Sequence, residues 1–175
     1  MSGIYGFLSE RAIEQHKEYL QTLKYRYSVC RKTYPEISDK GMGEIQRLRM
    51  KEREMEEILR LKCDIVFHEC FFNSFSAPYI KSKRVAAEFG SEASFLYEIY
   101  MCANRVSRGF VAVADNGKGL CIFNTEEAYH KICRARLYEP ILAIDMEEHA
   151  YFSDYGFNKE EYLKRALSAL NLGAL

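Results

Sequence analysis

The sequence predicts an α+β fold, in which an N-terminal antiparallel α-helical hairpin is followed by a small α/β domain with a three-stranded antiparallel sheet. Two observations predict it. Apolar residues recur at helical spacing in two long segments of the first half, whereas short β-branched and aromatic runs follow in the second half. We place the helical hairpin domain at residues 1–77 and the α/β domain at residues 78–175, because Pro78 ends the second helical segment.

The first helix is predicted to begin after Ser9, a good N-cap, with Glu10 placed to interact favourably with the helix dipole. Four apolar residues and a histidine then follow a spacing of three and four, which puts them on one helical face: Ile13, His16, Leu20, Leu23 and Tyr27. The stretch "KTYPEISDKGMG" contains a proline and two glycines and is typical of a loop.

A second helix is predicted from about Glu44 into the seventies of the sequence. Its first half, "RLRMKEREMEE", is highly charged and is expected to face solvent. Its second half carries an apolar stripe that again includes a histidine: Ile58, Leu61, Ile65, His68 and Phe72. Two long helices joined by one loop favour an antiparallel hairpin.

The second half of the chain shows one more helix, three strands and a closing helix. Ser91 is placed to cap the third helix. The runs "GFVAVAD" and "GLCIFN" flank "NGKG", which is typical of a β-hairpin, and "EPILAID" predicts a third strand. Asn158 begins a capping box that opens the last helix.

Composition and charge argue against several functional classes. The 25 basic residues balance the 25 acidic ones, so we expect neither a nucleic-acid surface nor a polybasic membrane anchor. No apolar run approaches the length of about 20 residues that a membrane span needs, and the first residues do not resemble a signal peptide. None of the six cysteines forms a C-x-x-C pair, so we expect reduced thiols and a cytoplasmic protein.

The four histidines of the chain are the strongest candidates for a functional site. His16 and His68, each in an apolar stripe, are taken singly more often core residues satisfied by a hydrogen bond. Together they can face each other across a helical hairpin. Asp145 ends a predicted strand. If the chain then turns helical, His149 lies four positions later on the same helical face as Asp145. His130 has charged neighbours and is expected at the surface.

Three imidazoles and one carboxylate suit a transition metal ion. The ligand types alone do not select the reaction. A zinc hydrolase with a metal-activated water fits this set. Iron or manganese fits it equally well.

The segment "IDMEEHAYFSDYGF" resembles the D-x-W-E-H-A-Y-x-x-D-Y signature of the iron/manganese superoxide dismutases. "LSERAIEQH" and "FHECFF" are similar to the two helical segments of that family that carry metal ligands. "FGSEASFLYEIYMCANRVSRGFVAV" is similar to its F-G-S-x-x-x-F…G-S-G-W-A-W segment. The resemblance spans nearly the whole chain in order.

The resemblance implies that His16, His68, Asp145 and His149 bind one iron or manganese ion per chain, with one position left for solvent. It further implies disproportionation of superoxide to dioxygen and hydrogen peroxide. It also implies a homodimer, in which Glu148 of one subunit, a candidate catalytic residue, orients His149 of the other.

Five positions depart from the family pattern. Lys24 stands where the family has a gateway tyrosine, and Asp64 where iron-type members carry a glutamine that holds bound solvent; both are candidate catalytic residues. The alternatives are a surface lysine and an exposed helix carboxylate. Leu20 and Phe152 replace a histidine and a tyrosine that meet across the dimer interface. Glu147 replaces a tryptophan and is expected to face solvent. These changes leave a second interpretation open, a metal-binding relative with little turnover.

Overall fold

A computed structural model describes residues 3–38, 40–45, 47–49, 51–76, 80–126 and 139–175. The helices are α1 (Glu10–Thr33), α2 (Met42–Ile45), α3 (Glu52–Ser74), α4 (Lys83–Phe89), α5 (Glu92–Ala103), α6 (Glu148–Tyr155) and α7 (Lys159–Ala169). The strands are β1 (Phe110–Asp115), β2 (Leu120–Asn124) and β3 (Pro140–Asp145), and short 3₁₀ turns lie at Ile4–Gly6, Pro35–Ile37 and Leu172–Ala174. This architecture confirms the predicted α+β fold.

The long helices α1 and α3 pack against each other and form the predicted hairpin. The N-cap prediction at Ser9 is confirmed, since its Oγ accepts a hydrogen bond of 3.1 Å from the backbone N–H of Ala12. The same serine donates from its backbone N–H and its hydroxyl to the carboxylate of Asp154, at 2.7 and 2.6 Å. The start of α1 is thereby tied to α6.

The second long helix begins at Glu52, later than the sequence pattern predicts. The chain from Met42 to Ile45 forms the separate short helix α2. Ile45 is fully buried in a small cluster with Ile37 and Ile58 near the far end of the hairpin. Burial of this side chain under the hairpin loop outweighs the local preference for one continuous helix.

The sheet has the order β2-β1-β3 with both pairings antiparallel, so β1 is the central strand. Helix α3 packs on β3, and one core cluster contains Phe67 and Phe71 of α3 together with Val111 and Leu142 of the sheet. The core therefore spans both predicted domains. Their predicted boundary lies within residues 77–79, outside the described part of the chain, and it stays a prediction.

Gly109 fixes how the start of β1 meets the end of β3. Its φ of +83° is a left-handed conformation, and an added Cβ would lie 2.3 Å from the Thr125 hydroxyl oxygen. Its carbonyl accepts a hydrogen bond of 2.7 Å from the N–H of Met146. In the ladder that follows, Phe110 pairs with Asp145. The glycine thus allows the close approach that positions the end of β3.

The predicted N-caps at Ser91 and Asn158 are confirmed, with side-chain acceptor distances of 3.0 and 3.2 Å to the capped N–H groups. Helix α4 was not predicted; it is short and is capped by Ser82. Across the described ranges, no helix has both the length and the hydropathy that a membrane crossing requires.

Candidate metal centre

Four side chains from four different elements converge on one point. His16 comes from α1, His68 from α3, Asp145 from the last position of β3 and His149 from the first turn of α6. The potential ligand atoms of these residues all lie within 4.8 Å of one another. We call this set the four-residue cluster. It unites residues that are as much as 133 positions apart in sequence (149 − 16 = 133).

Distances within the four-residue cluster match those around a metal ion. Asp145 Oδ2 lies 3.0 Å from His16 Nε2, 3.1 Å from His149 Nε2 and 3.4 Å from His68 Nε2. The Nε2 atoms of His68 and His149 are 3.2 Å apart. Ligand atoms that sit about 2.0–2.2 Å from one ion are about 3.0–3.5 Å from their neighbours. The cluster therefore has the spacing of a mononuclear site.

Buried polar atoms without partners give an independent test of whether a cation fits. His16 and Asp145 are fully buried. In the described part of the chain, Nδ1 and Nε2 of His16 and Oδ2 of Asp145 have no hydrogen-bond partner. The contact of 3.0 Å between His16 Nε2 and Asp145 Oδ2 is thus close in distance but not oriented as a hydrogen bond. An unpaired buried polar atom costs about 1–3 kcal/mol, and a bound cation would remove this penalty for the two inward-facing atoms.

The tautomer of His68 follows from its surroundings. Its Nδ1 lies 2.6 Å from the backbone oxygen of Asp64, an atom that can only accept a hydrogen bond. Nδ1 therefore carries the proton, and Nε2 presents a lone pair to the cluster, as in metal-binding histidines. Burial lowers the pKa of His68 from 6.5 to about 4, so the imidazole is neutral at neutral pH.

Asp145 is held in the ionised form and in a fixed orientation. Burial by itself would raise the pKa of Asp145, but the close approach of His149 and His16 outweighs it, and the pKa lies below the ordinary value. Its Oδ1 accepts a hydrogen bond of 2.9 Å from the Glu147 N–H, which leaves Oδ2 for the histidines. Its backbone oxygen accepts one of 2.7 Å from the Tyr162 hydroxyl. Neutral imidazole and ionised carboxylate are the forms that bind metal ions.

Aromatic rings surround the cluster. The ring of Phe71 lies 4.7 Å from that of His16, and the ring of Phe110 lies 4.9 Å from that of His68, both measured between centroids. The ring centroid of Tyr19 lies 4.3 Å from that of His149, a contact that no sequence motif predicted. Its position three residues after His16 was the available signal, because that spacing keeps both side chains on one helical face.

A cavity of about 390 Å³ adjoins the four-residue cluster, and His68 and His149 form part of its wall. Its charged lining residues are three carboxylates and two guanidinium groups: Asp64, Glu126, Glu147, Arg60 and Arg108. Glu126 is bound by Ser107, whose N–H and hydroxyl each donate a hydrogen bond of 2.7 Å. A small molecule in this cavity would meet His68 and His149, and the charged residues of the lining carry a negative formal charge in total.

Asp64 and Glu147 both lie at this cavity. Burial raises the pKa of Asp64 from 3.8 to about 6. Glu147 does not project freely into solvent as we expected, because its Oε1 accepts a hydrogen bond of 2.8 Å from the N–H of Gly109. A local sequence pattern could not reveal that contact, which joins the ends of two strands.

Lys24 and Glu148 are not members of the four-residue cluster. Lys24 is not among the residues that line the cavity, and its Nζ lies 2.6 Å from Glu69 Oε1 in an ion pair between α1 and α3. Glu148 is exposed in the first turn of α6. Phe152 is exposed on the same helix, whereas Leu20 is buried within the subunit. The predicted surface position of His130 lies outside the described residues.

Comparison with known proteins identifies the family. Residues 80–174 match the family model of the C-terminal domain of iron/manganese superoxide dismutases. The chain belongs to the iron/manganese superoxide dismutase family. The chain is also similar to superoxide dismutase [Fe] from a Nostoc species, with 23% identity over 176 residues that cover 91% of this chain and 87% of that protein. The matched domain carries Asp145 and His149, while the other two clustered residues come from the helical hairpin that precedes it.

Proposed function

We propose that this protein is a superoxide dismutase with one iron or manganese ion per chain. The proposed ligands are His16, His68, Asp145 and His149. The observation that carries the proposal is the convergence of these four side chains, with Asp145 Oδ2 unpaired and fully buried at their centre. Family membership supports the choice of a redox metal over zinc, because both names matched by the comparisons refer to superoxide dismutases.

Two superoxide anions and two protons give one dioxygen and one hydrogen peroxide. Iron or manganese would supply the one-electron oxidation and reduction that this reaction requires. The protein supplies the rest: His68 is kept neutral by burial, and Asp145 is kept ionised by the neighbouring imidazoles. Each ligand comes from an ordered helix or strand, so little reorganisation is needed when the ion binds.

We assign proton transfer at the cavity wall to Asp64. Its carboxyl lies on the cavity lining, and its side chain is 25% exposed. A pKa of about 6 is close enough to neutrality for the group to accept and release a proton under working conditions. The backbone of the same residue fixes His68, so the proposed proton carrier and the proposed ligand share one helical turn.

Lys24 is proposed to assist the approach of superoxide through its positive charge. The ion pair with Glu69 reduces this charge at short range, and both side chains are nearly half exposed. Exposed pairs are screened by water and salt, so we expect a contribution to the association rate rather than to binding at the centre.

We further propose a homodimer with Glu148 at its interface. Glu148 adjoins His149 at the start of α6, and Phe152 presents an exposed ring on that helix. His149 is the most exposed of the proposed ligands, with a side chain that is 30% exposed. A partner subunit could therefore cover this side chain and accept a hydrogen bond from its second N–H group. We also propose a cytoplasmic location, with which the lack of a disulfide between the described cysteines is consistent.

A metal-binding protein with little turnover is the second candidate. The observation that favours it is the charge of the cavity, where three carboxylates face two guanidinium groups and would repel an anionic substrate. Elemental analysis of the purified protein, paired with a superoxide-consumption assay on the same sample, separates the candidates. Iron or manganese with catalytic consumption supports the dismutase, the same metals without consumption support the binding protein, and zinc would support a hydrolase.

A further inference from the structure

Tyr19 packs against two members of the four-residue cluster. Its ring centroid lies 4.3 Å from that of His149, with a tilt of 38° between the planes, and 5.3 Å from that of His68. Tyr19 also lines the cavity and is 40% exposed. The phenol ring therefore forms the part of the cavity wall that meets the two imidazoles.

His149 is the proposed ligand that most needs support from its neighbours. Its side chain is 30% exposed, whereas those of His16, His68 and Asp145 are between 0% and 3% exposed. It belongs to α6, a helix of eight residues that begins only one residue earlier. The ring of Tyr19 lies across the imidazole of His149 and restricts its rotation, since aromatic pairs prefer a limited set of packing arrangements.

The volume of the cavity does not explain selection of a small substrate. At about 390 Å³ it is more than ten times the share of about 30 Å³ that one water molecule occupies in the liquid. Any selection by size must therefore occur where the cavity meets His68 and His149. Tyr19 is the α1 residue that lines the cavity, and its ring packs against His149 there.

We propose that the ring of Tyr19 is a positioning and specificity-determining group for the metal centre. It holds His149 in the orientation that directs Nε2 toward Asp145, and it limits the size of the anions that reach the ion. This inference rests on the proposed metal function. It concerns the aromatic ring rather than the hydroxyl group.

The test uses the full-length, metal-loaded protein and four variants: Tyr19→Ala, Tyr19→Leu, Tyr19→Phe and Tyr25→Ala. Tyr25 lies on the same helix, is 70% exposed and is not among the residues that line the cavity, so its replacement is the matched control. Two quantities are measured: the rate of metal release to a chelator, and the dissociation constants of azide and benzoate. Anion binding is monitored through the absorption spectrum of the metal. Tyr19→Leu retains an apolar side chain and serves if the alanine variant is unstable.

We expect Tyr19→Ala to release metal about tenfold faster, because loss of a group that orients a ligand costs about 10- to 100-fold in metal affinity. It should bind benzoate at least about tenfold more tightly, while azide changes little, because an aromatic-sized space opens beside the centre. Tyr19→Phe and Tyr25→Ala should match the wild type. Equal release rates and anion affinities in Tyr19→Ala and Tyr25→Ala would overturn the proposal, and so would a Tyr19→Phe variant that behaves like Tyr19→Ala. A wild-type protein that takes up no metal would overturn the proposed function itself.

Discussion

The Nδ1 atom of His68 lies 2.6 Å from the backbone oxygen of Asp64, in the preceding turn of α3. This contact fixes the tautomer of the imidazole and directs its Nε2 toward Asp145, 3.4 Å away. The carboxyl of Asp64 meanwhile lines the cavity. One helical turn thus links a proposed metal ligand to the proposed proton carrier, and both can be tested.

The first prediction is that the metal holds the helical hairpin to the sheet. His16 and His68 come from the hairpin, whereas Asp145 and His149 come from the sheet and the helix after it. Binding to the native state at a thousand times Kd adds about 4 kcal/mol to the free energy of unfolding. A chelator should therefore lower the Tm of the wild type, and His68→Ala should have a low Tm that neither chelator nor added metal changes. Scanning calorimetry with elemental analysis measures this, and full metal content with an unaltered Tm in His68→Ala would refute the assignment of this ligand.

The second prediction concerns pH and the metal-free protein. The pKa of His68 falls from 6.5 to about 4, so the unfolded chain binds more protons between these values and stability decreases as the pH falls through this window. The pKa of Asp64 rises from 3.8 to about 6, so the folded chain binds more protons in that window and stability decreases as the pH rises. The two effects oppose each other.

Asp64→Asn should therefore make the chelated protein more sensitive to acid between pH 4 and pH 6. The free energy of unfolding should gain a slope of up to about 1.4 kcal/mol per pH unit relative to the wild type. His68→Ala should change the slope in the opposite direction. Urea denaturation at several pH values in the presence of chelator measures both slopes. Parallel curves for the three proteins would show that neither group titrates differently in the folded state.

Features that depend on residues close together in the sequence could be predicted, whereas features that depend on contacts between distant residues could not. The caps at Ser9, Ser91 and Asn158 depend on residues within three positions, so local patterns reveal them. The four-residue cluster was predicted because its residue types and segments match a family signature. The late start of α3 depends instead on Ile45 and its distant partners in the small cluster, and no local signal reports such contacts.

The cavity depends on tertiary contacts of the same kind. The lining is negative because hydrogen bonds hold two carboxylates there. Gly109 binds Glu147, which lies 38 positions later in the sequence, and Ser107 binds Glu126, which lies 19 positions later. The family resemblance predicts that Lys24 places a positive charge at the gateway to the metal site. In the structure Lys24 forms an ion pair with Glu69, and no sequence motif connects these two residues. Helical spacing could indicate that Tyr19 shares a face with His16. Its packing on His149, a residue 130 positions later, could be seen only in the folded structure.

The third prediction concerns the role of charge in substrate approach. Lys24→Gln should lower the second-order rate with superoxide at low salt and flatten its dependence on ionic strength, because one attractive charge is lost. Glu69→Gln is the matched reciprocal variant: it releases Lys24 from its ion pair and should raise the low-salt rate by a few-fold. Pulse radiolysis from low to high salt measures the slopes. If all three proteins share one salt dependence, Lys24 is a solvated surface residue.

The fourth prediction concerns assembly. Glu148→Ala should weaken both dimerisation and metal retention, because the proposed contact joins Glu148 to the partner's copy of His149. Glu10→Ala is the control, since Glu10 is likewise exposed in the first turn of a helix but lies on α1. Sedimentation at micromolar concentration and metal analysis should change for the first variant alone. A wild-type monomer with full metal content would disprove the interface.

The most direct test of the proposed function is the number of superoxide molecules consumed per bound ion. The wild-type protein, loaded with one iron or manganese per chain, is mixed with superoxide in large excess, and its decay is compared with that of His68→Ala. We predict many turnovers per ion in the wild type, in proportion to its metal content, and background decay in the variant. A fully loaded wild-type protein that consumes no more than one equivalent of superoxide would contradict the assignment as a dismutase.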